Sequence, residues 1–388
     1  MAVRQIFRCP TSGKLVLPSD RIKPSEQLPD TDPETPSPTV GSSRPRLFHV
    51  LGPGLITGAS DDDPSGIATY SQVGAQFSYS LSWTLLVTYP LMVAIQTISA
   101  RIGRTTGHGL AGVLRLHCPK WLLTGVILLL LVANIINLGA DLGAMADALY
   151  LLLPVPRVLY VLLFAAISIS MQLFLQYTRY VAVLKWLTLA LFAYFAALAY
   201  VNVDWRALAL HLVWPDHALT SDYLTALVAI LGTTISPYLF FWQASQEVED
   251  MNVHPRRVRL IDAPSQGKSA LRRIRIDTLV GMGFSNLVAL AILITTAATL
   301  NVRGITDIQT SAQAAEALRP IAGHFASLIF TLGIIGTGLL AVPVLAGSAA
   351  YAVGEARQWP TGLKRRPKEA QAFYATLVIA TLVGMILN

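Results

Sequence analysis

Charge is what this sequence has least of. Only 13% of its 388 residues are Asp, Glu, Lys or Arg, where an ordinary soluble domain carries roughly 25%. A large soluble protein with a greasy core is excluded by run length, because apolar stretches of about 20 residues with few charges recur along the chain. Cysteine is almost absent: Cys9 and Cys118 lie far apart, without CxxC or zinc-finger spacing, so neither a disulfide nor a metal role follows. The seven histidines form no ligand cluster. No Walker loop, GxSxG, HExxH or dinucleotide fingerprint occurs, so the chain carries no enzyme signature and implies no cofactor. No apolar stretch follows the first basic residues, which excludes a signal peptide.

What is present is hydrophobic surface, 53% of all residues. Residues 1–47 are the exception. Their one short apolar run is Leu15-Val16-Leu17, after which Pro18, Pro24, Pro29, Pro33, Pro36 and Pro38 alternate with Ser, Thr, Asp and Glu. Such a stretch buries too little apolar surface to order itself and reads as a disordered cytoplasmic tail. From residue 48 to 388 the pattern is that of an all-α polytopic membrane domain. The expected spans run 50–75, 80–100, 121–152, 156–176, 183–202, 222–247, 278–300, 322–354 and 371–388.

Nine spans with a cytoplasmic N-terminus make a charge test. The outer loops hold only Arg157, Arg206, Arg303 and Arg319, and the other 25 of the 29 basic residues fall on the cytoplasmic side. That asymmetry is a positive-inside signal. It accounts for the net charge of +7 by membrane orientation rather than by nucleic-acid binding.

Two spans are interrupted. The first carries Asp61-Asp62-Asp63-Pro64-Ser65-Gly66 near its middle, and the sixth carries Gly232-Thr233-Thr234-Ile235-Ser236-Pro237-Tyr238. Proline removes a backbone donor and clashes with the preceding turn, so both helices should break. In lipid such backbone is tolerated only against protein or a water-filled cavity. Pro237 alone is as compatible with an ordinary kink. Pro64 beside three carboxylates is not, because intramembrane carboxylates are costly and usually functional. Paired interruptions in the first span of each half mark inverted-repeat transporters, with the site between the breaks. The carbonyls at the end of a half-helix are negative, and Asp63 adds a full charge. Carboxylate plus carbonyl oxygens suits a hard cation.

Other polar residues lie within spans. Asn134, Asn137 and Asp141 share one face of the third helix and should face the bundle interior. For the two asparagines, interhelical hydrogen bonding is an equally good reading. Gln243, Gln246, Glu247, Glu249 and Asp250 are expected to form a solvated exit face. Arg256 to Arg275 reads as a basic loop that orients the chain and touches anionic lipid.

At these residues the sequence resembles the Nramp family of divalent-metal transporters, which have the LeuT-type inverted-repeat fold. The family's first helix carries Asp-Pro-Gly-Asn, followed by an apolar residue, Ala and Thr. The corresponding stretch here is Asp63-Pro64-Ser65-Gly66-Ile67-Ala68-Thr69. Met-Pro-His of the sixth helix corresponds to Ser236-Pro237-Tyr238, and Asp-Leu-Ala-Glu of the third to Asp141-Leu142-Gly143-Ala144. The resemblance runs from about residue 46 to the C-terminus. It implies a metal site of Asp63, Gly66, Thr233 (through its carbonyl) and Ser236. It also implies a repeat of residues 50–202 and a second of 222–388, left incomplete because the family's tenth helix has no counterpart before Asn388. The resemblance further implies an integral protein of the bacterial inner membrane.

The departures set the expected ion. The family's amide ligand is Gly66 here and its thioether ligand is Ser236. A thioether favours transition metals, and Mg²⁺ retains several waters. A wider, harder site suited to a hydrated ion is therefore expected, as in the divergent Nramp-related magnesium transporters, with Mg²⁺ favoured and Mn²⁺ allowed. The family's proton-linked His and Glu are Tyr238 and Ala144, so coupling to protons is expected to be weak or absent. Asp61, Asp62, Asp141 and Tyr238 remain as a candidate relay. Two other readings stay open. One is an organic-amine carrier of the same fold, with Asp63 facing an ammonium group among Tyr238, Phe240 and Phe241. The other is a non-transporting scaffold or sensor.

Overall fold

The computed structural model describes residues 53–175, 177–214, 220–254, 256–308 and 310–388, so the expected tail over 1–47 lies outside the described residues. Among the described residues the regular structure is helical throughout. The helices are α1 (Pro53–Asp61), α2 (Pro64–Phe77), α3 (Trp83–Thr106), α4 (Leu110–His117), α5 (Lys120–Leu152), α6 (Arg157–Phe174), α7 (Tyr177–Leu187) and α8 (Phe192–Ala199). They continue as α9 (Trp205–Val213), α10 (Ser221–Thr234), α11 (Pro237–Val253), α12 (Gly267–Thr299), α13 (Ser311–Arg357) and α14 (Gln371–Ile386).

Among the described residues, 7 stretches are long and apolar enough to cross a membrane: Trp83–Thr106, Lys120–Leu152, Arg157–Phe174, Ala182–Ala199, Ser221–Val253, Pro264–Arg303 and Leu328–Arg357. The other two expected spans correspond to the α1–α2 pair and to the shorter apolar helix Gln371–Ile386.

Two elements differ from expectation in extent. The eighth span was expected over 322–354, but α13 has 47 residues and begins at Ser311. The reason is local. Thr310 and Gln313 form a reciprocal capping box, which starts the helix well ahead of its apolar run. The seventh span was expected from 278, but α12 begins at Gly267. Arg272, Arg273 and Arg275 therefore lie on a helix rather than in a loop.

Helix α12 organises the site region. It packs along both α1 and α2 and also against α3, while α13 packs against α5, and α11 against α3. The approach of α1 to α12 is backbone on backbone. A Cβ on Gly58 would meet the Gly281 backbone, and one on Gly281 would meet Gly54. Small residues at such a crossing allow the close van der Waals packing that drives helix association in lipid. The same helix caps α1. The Asp277 carboxylate accepts from Gly54 N at 2.8 Å and Leu55 N at 3.2 Å, which satisfies first-turn N–H groups that a helix cannot satisfy itself.

The expected solvated face of α11 is instead buried. Gln243, Gln246, Glu247, Glu249 and Asp250 are all buried. Most of their partners come from distant segments. Arg273 on α12 bonds Glu247 at 2.5 Å, and Arg257 bonds Asp250. Tyr351 on α13 donates to Glu249 at 3.0 Å, and Thr57 on α1 donates to Gln243. Glu355 of α13 accepts from Ser245 at 2.9 Å and from Gly112 N at 3.1 Å, which ties α4 to the same layer. A solvated face would leave these groups to water. Here each carboxylate is enclosed with a donor, which is the condition for burying it.

Two outcomes follow. Gly58→Val should lower the unfolding temperature of the detergent-solubilised protein, by about 1–3 kcal/mol of overpacking. Gly125→Ala, at a position that meets nothing within 4 Å, should not; equal effects of the two would remove the close-approach account. Arg273→Ala leaves Glu247 buried and unpaired and should cost about 3–5 kcal/mol. Adding Glu247→Gln should recover part of that loss, and an Arg273→Ala protein as stable as the parent would contradict it.

Candidate metal-binding site

Both prolines sit at the first position of the second half-helix, where a missing N–H costs nothing and the fixed φ suits the helix. The residue before a proline is driven to extended backbone. Asp63 has ψ 164° and Ser236 has ψ 123°. The break is thus written at each X-Pro step, and it converts Asp63 into the N-cap of α2. Its Oδ1 accepts from Gly66 N at 2.7 Å and from Ser65 Oγ at 2.7 Å.

The sixth-span break lies against the first. Tyr70 and Thr234 hydroxyls are 2.9 Å apart, which holds α2 to α10. The Tyr238 hydroxyl donates to the Ser60 carbonyl at 2.7 Å and lies 3.4 Å from Asp63 Oδ2. A Cβ built on Gly66 would stand 3.0 Å from Thr233 Oγ1 and 3.2 Å from Asp63 Oδ1. Ser236 Oγ donates to the Thr233 carbonyl at 2.7 Å. The four expected site residues, Asp63, Gly66, Thr233 and Ser236, therefore form one continuous cluster between the two breaks.

One expectation about that cluster changes. The glycine at position 66 was expected to leave a wider pocket. In this structure the Thr233 side chain already stands where the lost side chain would begin. What distinguishes the site is its donor chemistry. Asp63, the hydroxyls of Ser65, Thr233, Ser236 and Tyr238, and the Thr233 carbonyl are all oxygens, the ligands that hard cations take.

The third helix joins the site through Ser65, whose backbone N–H donates to Asp141 Oδ1 at 3.2 Å while its hydroxyl serves Asp63. Asp141 is 0% exposed, and among the described residues its Oδ2 has no hydrogen-bond partner. Asn134 on the same face donates to the Leu345 carbonyl at 3.0 Å, an interhelical bond of the kind its sequence allowed. Asn137 is only half-buried, so the stripe does not face inward along its whole length.

The other two aspartates do not converge with Asp63. Among the described residues no group of three or more His, Cys, Asp or Glu side chains is placed to hold a metal. Asp61 turns to α12 and accepts from Ser285 at 3.0 Å. Asp62 is 0% exposed, and among the described residues neither of its oxygens finds a partner in hydrogen-bond geometry. Tyr238 meets Asp63 through its hydroxyl rather than its ring face, so it does not supply the aromatic surround that an ammonium ligand prefers. Ser65, Ser285 and the Tyr70–Thr234 pair had no signal in the sequence beyond being polar residues within apolar spans.

The comparisons with known proteins agree with this geometry. Residues 54–388 match the family model described as "Nramp: Natural resistance-associated macrophage protein-like". The chain is similar to the "Divalent metal cation transporter MntH" of Deinococcus radiodurans, 27% identical over 341 residues, covering 85% of this chain and 75% of that protein. It is likewise similar to the protein of the same name from Acidiphilium cryptum, 27% identical over 310 residues, covering 77% and 67%. Among solved structures, the manganese transporter of Eremococcus coleocola aligns with a TM-score of 0.67 at 19% identity, over 90% of this chain and 73% of that one. That likeness gives the chain the LeuT-type fold with discontinuous first and sixth helices. The match runs from Gly54 to Asn388 and includes both broken helices, so this chain belongs to the Nramp family.

Proposed function

We propose that this chain carries divalent metal cations across the membrane. Mg²⁺ is favoured, Mn²⁺ is accepted, and coupling to protons is weak or absent. One observation carries the reading: a buried carboxylate, Asp63, caps a broken helix and is surrounded by oxygen donors. The printed names of the relatives, divalent metal and manganese transporters, support the class of cargo. The choice of Mg²⁺ rests on Gly66 and Ser236 standing where the family has an amide and a thioether. Hydroxyl and carbonyl oxygens match the ligand preference of Mg²⁺, whereas the absent sulfur would have favoured a softer ion.

In this reading Asp63 supplies the charge, the Thr233 carbonyl and Ser236 hydroxyl supply neutral ligands, and Gly66 lets Thr233 approach. Ser65 and Tyr238 donate to, or stand beside, Asp63 and would yield to an incoming ion. Asp61, Asp62 and Asp141 are the buried carboxylates through which any residual proton movement would pass. Residues 50–202 and 222–388 act as the two repeats, rocking about the site for alternating access. The N-terminus is cytoplasmic in a bacterial inner membrane.

Asp63→Ala in proteoliposomes should abolish Mg²⁺ and Mn²⁺ uptake; unchanged uptake of both ions would remove the metal-site reading. Ser236→Met should raise Mn²⁺ uptake relative to Mg²⁺ several-fold, and an unaltered ratio would count against the ligand argument. An internal pH dye should show no acidification during uptake. A fluorescent protein fused at the N-terminus should fluoresce, while a phosphatase active only outside the inner membrane should be inactive there.

A further inference from the structure

A groove of about 420 Å³ lies between α3 and α12, away from the metal site. Its wall is a stripe of α3, running from Tyr89 and Pro90 through Val93, Ala94, Thr97 and Ile98 to Arg101. These residues recur at helical spacing, so they line one face over about 18 Å at 1.5 Å per residue. Helix α12 contributes Leu279 and, one turn earlier, Arg275. The Tyr89 hydroxyl donates to the Leu279 carbonyl at 3.1 Å and bridges the two helices. Pro90 lies within α3, where its ring removes a backbone donor and bends the helix.

Apart from its two arginines and the Tyr89 and Thr97 hydroxyls, the groove is apolar. Arg101 and Arg275 are both exposed, and among the described residues neither has a hydrogen bond or an ion pair. Four other arginines in this region are engaged. Arg273 takes Glu247, Arg257 takes Asp250, Arg259 takes Asp262 and Arg104 takes Gln266. The local acidic groups are therefore already engaged, and the two guanidinium groups beside the groove are left for an external anion. Both lie at the ends of their helices that carry the basic loops, the end that the positive-inside asymmetry assigns to the cytoplasmic leaflet. That leaflet is the anionic one.

We infer that this groove is a binding site for one anionic phospholipid of the cytoplasmic leaflet. An acyl chain would lie along Val93, Ala94, Ile98 and Leu279, and the headgroup phosphate would sit between Arg101 and Arg275. The guanidinium fork matches phosphate oxygens in pairs, and the volume is that of a ligand pocket rather than of a packing fault. A free phosphate would use the arginines and leave the apolar wall empty. A zwitterionic lipid would fill the wall but carries no net charge for two unpaired cations.

The test is native mass spectrometry of the full chain, together with thermal unfolding in detergent, with phosphatidylglycerol titrated in. The parent should retain one phosphatidylglycerol and unfold at a higher temperature as it is added. Phosphatidylcholine and inorganic phosphate should each do neither. Arg101→Gln with Arg275→Gln should weaken phosphatidylglycerol binding on the order of 30-fold, the size of two guanidinium contacts with membrane anions. Ala94→Trp, which fills the wall and keeps both arginines, should block retention as well. Metal uptake by these variants reports that they are folded. Equal retention of phosphatidylcholine, the same stabilisation by phosphate alone, or unaltered phosphatidylglycerol binding in both variants would each overturn the assignment.

Discussion

A helix broken inside a hydrocarbon layer leaves backbone groups that water cannot reach. Everything around Asp63 follows from satisfying them. The α2 N-terminus offers unpaired N–H groups, and Asp63 and Asp141 accept from those of Gly66 and Ser65. The α1 C-terminus offers unpaired carbonyls, and Tyr238 donates to that of Ser60. The α1 N-terminus is met by Asp277. Each repair brings a polar side chain into the bundle. The sum of those repairs is a pocket of oxygens around one carboxylate. The site and the structural solution to the break are the same atoms.

The parts of this arrangement that were legible in the sequence are local ones. An X-Pro step fixes backbone geometry within two residues, so both breaks could be placed from Pro64 and Pro237 alone. Apolar run length fixes the spans for the same reason, and only their ends were misjudged. There, the Thr310–Gln313 capping box and the basic first turns of α12 extend helix into sequence that does not look membranous. The illegible parts are those whose partners are distant in the chain. The acidic run from Gln243 to Asp250 looked solvated because Arg273, Tyr351 and Thr57 are not near it in sequence, and the nearby Arg257 read as part of a basic loop. The glycine at position 66 looked like space because nothing local indicated that Thr233 would stand against it. Nothing in the sequence around Asp277 indicates that it caps a helix that begins more than 200 residues earlier.

The buried acidic layer around α11 and the cluster around Asp63 obey the same electrostatic rule with different outcomes. Glu247 and Asp250 are buried against arginines, and Glu249 and Glu355 against hydroxyl and backbone donors. Around Asp63 the donors are serine, tyrosine and backbone N–H groups, and no basic side chain is ion-paired with it among the described residues. In the proposed role, the compensating positive charge at Asp63 would come with the transported cation. On that proposal, selectivity for a hard ion would arise from what surrounds the carboxylate rather than from the carboxylate itself.

Helix α12 adds a constraint on motion. Gly58 meets it at one half of the broken span, and at the other half a Cβ on Gly74 would collide with Leu293 and Thr296 of the same helix. Two contacts this close, one on each side of the break, hold both halves against a single helix. The broken span therefore does not stand as a free hinge. It behaves as a splinted joint, its two halves kept in register across the gap by one neighbouring helix.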